Sequence, residues 1–258
     1  MILNQHCVWV LVLYLCGIVQ LTGCSESSSN NDGQRVGGFY FSFDEIEPSG
    51  GPYSGPVTDY SGNNFHGEAV GVSKVPGKIG SALWFLGAGA AINLKQIPDY
   101  FPFENGFTFR VWLKTGNSIN GVQQIVGSSL NRVSGSDGDG FGIGIVGFGS
   151  HIYFELPEDP TYLYSTAATG HSVIGDWFHI AVTYDRENIS YYYNGDLVAT
   201  DTVLTNFTPG FYNHIGNSRN ANSNGYPRNQ FVDVLDELYI EKRIMSSQEI
   251  MKYYLDTM

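Results

Sequence analysis

Cysteine is nearly missing from this 258-residue chain: there are three, Cys7, Cys16 and Cys24. Nothing beyond residue 24 can form a disulfide or a thiolate metal site. That excludes zinc ribbons, thioredoxin-type redox chemistry, cysteine proteases and disulfide-stapled modules. Charge is scarce too, at 15% of residues, against about 25% in ordinary soluble proteins. Cations are the scarcest: 13 Lys and Arg stand against 25 Asp and Glu, for a formal charge of −12. Nucleic-acid partners are excluded on that ground, because phosphate binding depends on Lys and Arg. No internal repeat is present, and helical periodicity is missing until the last dozen residues. What the chain does have is 32 Gly, 17 Tyr and 16 Phe, a mix that suits twisted sheets and turns.

Residues 1–23 hold no Asp, Glu, Lys or Arg, and the apolar run at 8–19 (VWVLVLYLCGIV) has the length of a signal h-region. It is too short to span a bilayer, which takes roughly 20 residues. It closes on Leu21, Thr22, Gly23 and Cys24, which resembles a bacterial lipobox. That resemblance implies cleavage after residue 23 and lipidation of Cys24. Ser25 in the next position resembles lipoproteins sorted to the outer membrane. The polar stretch that follows cannot bury a core and is expected to be a flexible tether over 24–37.

From residue 38 onward, apolar residues alternate with polar ones between turn-rich segments. Phe39, Phe41 and Phe43 follow period two; so do 107–113 (FTFRVWL) and 178–184 (FHIAVTY). Such alternation predicts half-buried antiparallel strands. Asn194-Gly195 between two strand-like runs predicts a hairpin with a type I′ turn. Residues 141–145 and 151–155 predict another strand pair. Ser246 followed by Glu249 is a capping box opening a short helix, with Ile250, Tyr253 and Tyr254 on one face. The expected architecture is all-β: a two-sheet antiparallel sandwich with a short C-terminal helix, built as one domain over 38–258.

The segments also fall in a familiar order. They are 43–45 (FDE), 59–67 (DYSGNNFHG), 77–85 (GKIGSALWF), 107–112 (FTFRVW), 177–185 (WFHIAVTYD), 193–195 (YNG), 215–217 (IGN) and 234–240 (VLDELYI). The series resembles the laminin G-like, concanavalin A-like lectin/glucanase superfamily, which implies a jelly-roll sandwich. That superfamily includes lectins, adhesion modules, enzymes and structural appendages, so the resemblance leaves function open.

Strict alternation places Asp236 in an apolar row with Val232, Val234, Leu238 and Ile240. A buried carboxylate costs several kcal/mol unless compensated, so a calcium ion, an Arg or backbone N–H groups must satisfy it. The resemblance implies a structural Ca2+ held by acids near both ends of the chain, with Asp44 and Asp59 as partners of Asp236. Asp137 and Asp139 lack the further acids of an EF-hand loop and are expected in a solvated hairpin. Trp84, Trp112 and Trp177 sit in patterned strands and are expected in the core.

No catalytic constellation emerges. The acids on 233–241 stand about 13 Å apart along an extended strand, too far for the paired carboxylates of glycoside hydrolysis. His-Glu-x-x-His and Gly-x-Ser-x-Gly motifs are missing. Sugar recognition combines aromatic faces with planar hydrogen-bonding groups. Tyr162 and Tyr164 in 157–171, and Arg219, Asn222, Tyr226 and Arg228 in 216–229, offer that combination on expected loops. The competing reading is of polar loops packed on their own tyrosines. The expectation is a non-catalytic, lipid-anchored protein of the bacterial outer membrane or cell surface that binds glycan or protein ligands through its loops. A purely structural envelope protein and a divergent polysaccharide hydrolase or lyase are the alternatives.

Overall fold

The computed structural model describes residues 37–46, 52–87, 89–94, 101–102, 105–116, 121–127, 141–157, 162–171, 174–203, 210–211, 214–216 and 230–258. All of them lie in one unit, Arg35–Met258. Cys24, the leader and the tether up to residue 36 fall outside the described residues.

The strands run in chain order as β1 (Gly38–Phe41), β2 (Tyr53–Val57), β3 (Gly67–Pro76), β4 (Ser81–Phe85), β5 (Ala91–Asn93), β6 (Phe101–Pro102), β7 (Phe107–Lys114), β8 (Val122–Gly127) and β9 (Gly142–Val146). They continue as β10 (His151–Pro157), β11 (Tyr162–Ala168), β12 (Trp177–Tyr184), β13 (Asn188–Tyr193), β14 (Asp196–Thr202), β15 (Gly210–Phe211), β16 (His214–Ile215) and β17 (Val234–Glu241). Helix α1 (Ser247–Thr257) closes the fold.

The main hydrogen-bonded path is β11-β10-β9-β8-β16-β5-β3-β4-β17-β7-β12-β13-β14, with β1 added to β17 and β2 to β3. Strand β3 turns one sheet into the other. Its first half pairs with β5 and its second half with β4. Between them Gly71 takes φ 65, a left-handed conformation that glycine adopts without steric penalty. The curled sheet folds onto itself as a sandwich. Phe154 of β10 stacks on Tyr184 of β12, with centroids 5.8 Å apart, and Phe107 of β7 stacks on Phe141 at 4.6 Å. The free edges meet where Tyr191 Oη donates to Ser165 Oγ (2.5 Å) and Ser165 Oγ donates to Asp201.

The hairpin at Asn194-Gly195 has φ of 49° and 84°, as a type I′ turn requires. Ser246 and Glu249 form the expected capping box. Helix α1 lies on the outer face of the sheet that contains β7, β12 and β17. There a small apolar cluster gathers Ala181, Tyr192, Met245 and Ile250. Trp112 Nε1 donates to Thr257 Oγ1 at 3.1 Å, and the indole stacks on Tyr254. The Arg110 guanidinium sits between the rings of Tyr239 (4.3 Å) and Tyr253 (3.7 Å).

The tryptophans therefore differ from expectation. Trp112 is buried, but beneath the helix and not between the sheets. Trp84 is 44% exposed, and Trp177 is half-buried. Period-two alternation says only that a residue faces away from its neighbours; whether the second face is covered depends on what packs there.

Truncating Phe154 to Ala should cost about 3–5 kcal/mol in urea denaturation, because it empties the centre of the sandwich. Ser246→Ala should cost about 1 kcal/mol through loss of the cap.

Candidate functional site

Strand β17 carries a bulge, with the register against β7 shifting between Asp236 and Tyr239 and Glu237 at φ 52. The expected apolar row is thereby broken. Leu235, Leu238 and Ile240 enter the core, while Asp236 pairs with Trp112 and Tyr239 with Arg110 on the face beneath the helix. The extra residue of the bulge reverses the alternation, which a strict period-two reading cannot anticipate.

Asp236 is fully buried and is satisfied by backbone. Oδ2 accepts from the N–H groups of Lys78 (2.9 Å) and Ile79 (3.0 Å), and Oδ1 accepts from Glu237 N–H (2.9 Å). The donor turn is shaped for the carboxylate, since a Cβ on Gly77 would stand 2.6 Å from Asp236 Oδ2. Asp44 caps the same turn from the other side, accepting from Ser81 N–H at 2.7 Å. A Cβ on Gly80 would overlap its carboxylate. Asp59 organises a different turn. Its Oδ1 accepts from Tyr40 N–H and Ser61 N–H, and its Oδ2 from Ser61 Oγ–H and Phe65 N–H.

The three acids thus do not form the expected calcium set. Their oxygens point at N–H and O–H donors, and among the described residues no group of three His, Cys, Asp or Glu could hold a metal. No calcium is assigned to them. The neighbouring acids are internal as well. Glu237 Oε2 accepts from Tyr40 Oη–H at 2.5 Å, and Glu241 pairs with Arg243 at 3.2 Å.

Burial pushes the Asp236 carboxyl up to about 8, against the three N–H bonds that favour its charge. Burial also raises Glu237, Asp233 and Glu241. His179, beside Trp112 and Tyr253, is pushed down to about 3 by burial and then by the Arg110 charge, so it is neutral.

Of the expected ligand residues, Tyr162 and Tyr164 lie on strand β11 and not in a loop. Their partners are Pro157 and Glu155. The alternation Tyr162, Tyr164, Thr166 fits a strand, and pairing with β10 satisfies its backbone. Arg219, Asn222, Tyr226 and Arg228 lie outside the described residues, as do Asp137 and Asp139.

The register does reveal a row that the sequence reading missed. Gly127, Gly142, Glu155 and Tyr164 are successive partners across β8, β9, β10 and β11; beside them run Gln124, Gly144, Tyr153 and Thr166. Ile143, Ile145, Ile152 and Phe154, at the intervening positions, point into the core. The two rows therefore share the outer face. Gly142 and Gly144 carry no side chains of their own, and those of Glu155, Gln124 and Tyr153 lie over their backbone. A Cβ on Gly142 would stand 2.7 Å from Glu155 Cγ. Gln124 is 2% exposed, and its Nε2 has no hydrogen-bond partner among the described residues. Thr166, opposite Tyr153, is exposed, so the face opens at β11. The available signal was glycine at both outward positions of a strand whose inward positions are Ile.

This is an all-β, lectin-like sandwich. The chain belongs to the concanavalin A-like lectin/glucanases superfamily: residues 86–251 match its laminin G-like family model. The binding domain of Paraclostridial mosquitocidal protein 1 superposes with a TM-score of 0.56 at 16% identity, over 85% of this chain and 51% of that one. Domain 4 of AbnA, a GH43 extracellular arabinanase from Geobacillus stearothermophilus solved with arabinotriose, gives 0.56 at 18% identity, over 83% and 96%. The binding domain of botulinum neurotoxin DC in complex with SialylT gives 0.52 at 16% identity, over 78% and 48%. The chain spans about half the length of the two toxin domains. A search of curated proteins finds no match.

A carboxyl raised by folding binds its proton more tightly in the native state than in the unfolded one. Its stabilising contribution is fully present below the unfolded value of 3.8 and is lost as pH rises toward about 8. Melting temperature should therefore fall from pH 4 to pH 8, and Asp236→Asn should flatten that slope while lowering stability at pH 4 through its mismatched amide.

Proposed function

We propose that this protein is a non-catalytic, glycan-binding envelope module, tethered by lipid at Cys24 to the bacterial outer membrane, whose ligand contacts the outer face of β8 to β11. The observation that carries this reading is the buried Gln124 amide, without an acceptor among the described residues, beside Glu155 over the backbone of Gly142. A buried unmet donor costs about 1–3 kcal/mol, and a sugar hydroxyl is an acceptor that would relieve it. Glu155 stands on the adjacent strand, and the Tyr164 position lies one strand further along its row. An amide beside a carboxylate suits a polyhydroxylated ring.

The fold neighbours support the same reading. Two are toxin binding domains, one of them solved with SialylT, and the third is an arabinanase domain solved with arabinotriose. The use made of the acids supports a non-catalytic role. Asp236, Glu237 and Glu241 are buried and committed to backbone, Tyr40 and Arg243. The lipid anchor rests on the lipobox-like sequence ending in Cys24.

Binding to arabinan-type and other neutral oligosaccharides, measured by glycan array and calorimetry, should weaken about tenfold, or about 1.4 kcal/mol, on Gln124→Ala. Undiminished affinity would remove this face from the reading. Cys24→Ser should abolish incorporation of labelled fatty acid and release the protein from membranes.

A further inference from the structure

The sheet beneath helix α1 has a second outward row that the helix leaves bare. Ser73, Trp84, Val234, Lys114 and Trp177 are successive register partners across β3, β4, β17, β7 and β12. Their chain neighbours Leu83, Phe85, Leu235, Leu113 and Phe178 enter the core, so the five side chains share the outer face. One pleat away, toward the helix, Trp112 is sealed against Thr257, and the Lys78 ammonium lies 4.7 Å over its ring. The bare row begins where that cover ends.

Trp84 is 44% exposed; Trp177, Lys114, Val234 and Ser73 are half-buried. Three strand intervals separate the two indoles, about 14 Å at the usual spacing, with Val234 and Lys114 between them. No carboxylate lies within ion-pair distance of Lys114 among the described residues. In a chain of net charge −12, an unpaired cation flanked by two aromatic faces is a local exception.

We propose that this row is a second binding surface, for an acidic polysaccharide of the uronate-bearing class lying across the strands. Sugar faces stack on Trp84 and Trp177, and a carboxylate between them pairs with Lys114. The row is too small for a protein partner. Five side chains fall far short of the ~800 Å² per partner that a stable protein interface buries. Charge selects among glycans. Lys114 is the one cation in the row and attracts a sugar carboxylate locally. Indole supplies the largest flat apolar face available to a side chain and tolerates variation in the sugar it covers. This surface lies on the opposite sheet from Gln124 and Glu155, and the inference does not depend on the function proposed for that face.

The test uses the full-length chain with polygalacturonate as the acidic probe and arabinan as the neutral one, in affinity electrophoresis and calorimetry. Polygalacturonate should retard the wild type and quench tryptophan fluorescence. Trp84→Ala should weaken binding at least tenfold, while Trp84→Phe keeps most of it. Lys114→Gln should weaken binding to polygalacturonate and remove most of its salt dependence; this variant carries the test if Trp84→Ala does not fold. Three results would overturn the proposal. They are no retention by polygalacturonate, loss of binding on Gln124→Ala in place of Trp84→Ala, or a Trp84-dependent dimer in sedimentation.

Discussion

A single buried carboxylate orders much of this fold. Asp236 stands in the middle of β17 with no solvent access, and a buried carboxyl costs several kcal/mol unless its oxygens find hydrogen-bond partners. Compensation comes from backbone N–H groups of a turn far away in sequence, at Lys78 and Ile79. The turn must therefore stay within hydrogen-bond reach of β17, and its glycines must stay glycine to admit the two carboxylates of Asp236 and Asp44. The bulge that aims Asp236 outward also places Tyr239 against Arg110. Arg110 in turn holds Tyr253 of the helix. Hairpin turn, central strand and helix are thus coupled through one side chain and the one extra residue beside it.

The sandwich has one interior but two exteriors, and they are used differently. Under the helix, the exterior has become a second packed layer: Trp112, His179, Tyr253 and Tyr254 interleave, and His179 stays neutral because nothing there would solvate its charge. Beyond the helix, the same sheet shows water two indoles and a lysine. On the other sheet, glycines at 142 and 144 remove side chains from the outer face while isoleucines at 143 and 145 fill the core. A strand of alternating Gly and Ile supports the sandwich on one side and, on the other, admits the side chains of Gln124, Tyr153 and Glu155 close against its backbone.

Much of the fold was legible in the chain because its signals are local. The period-two runs at 107–113 and 178–184 became paired strands, Asn194-Gly195 became the type I′ turn, and Ser246 with Glu249 capped the helix. Each depends on residues within a few positions of one another. The candidate site was much less legible. Tyr162 and Tyr164 were recognised as aromatic but assigned to a loop, and Gln124 and Glu155 carried no local mark at all. What relates them is cross-strand register, which brings positions dozens of residues apart into neighbouring rows.

The acids make the same division clear. That Asp236 would be buried and would need partners followed from its place in an apolar strand. That the partners include the N–H groups of Lys78 and Ile79 was decided only when β3, β4 and β17 came together. Sequence by itself determined the class of the protein, the strands, the turn and the cap, because propensity, periodicity and turn chemistry act over short stretches of chain. Tertiary structure alone decided which face of each strand is covered, where the bulge falls and which polar groups meet. Those depend on long-range pairing, and one inserted residue is enough to reverse them.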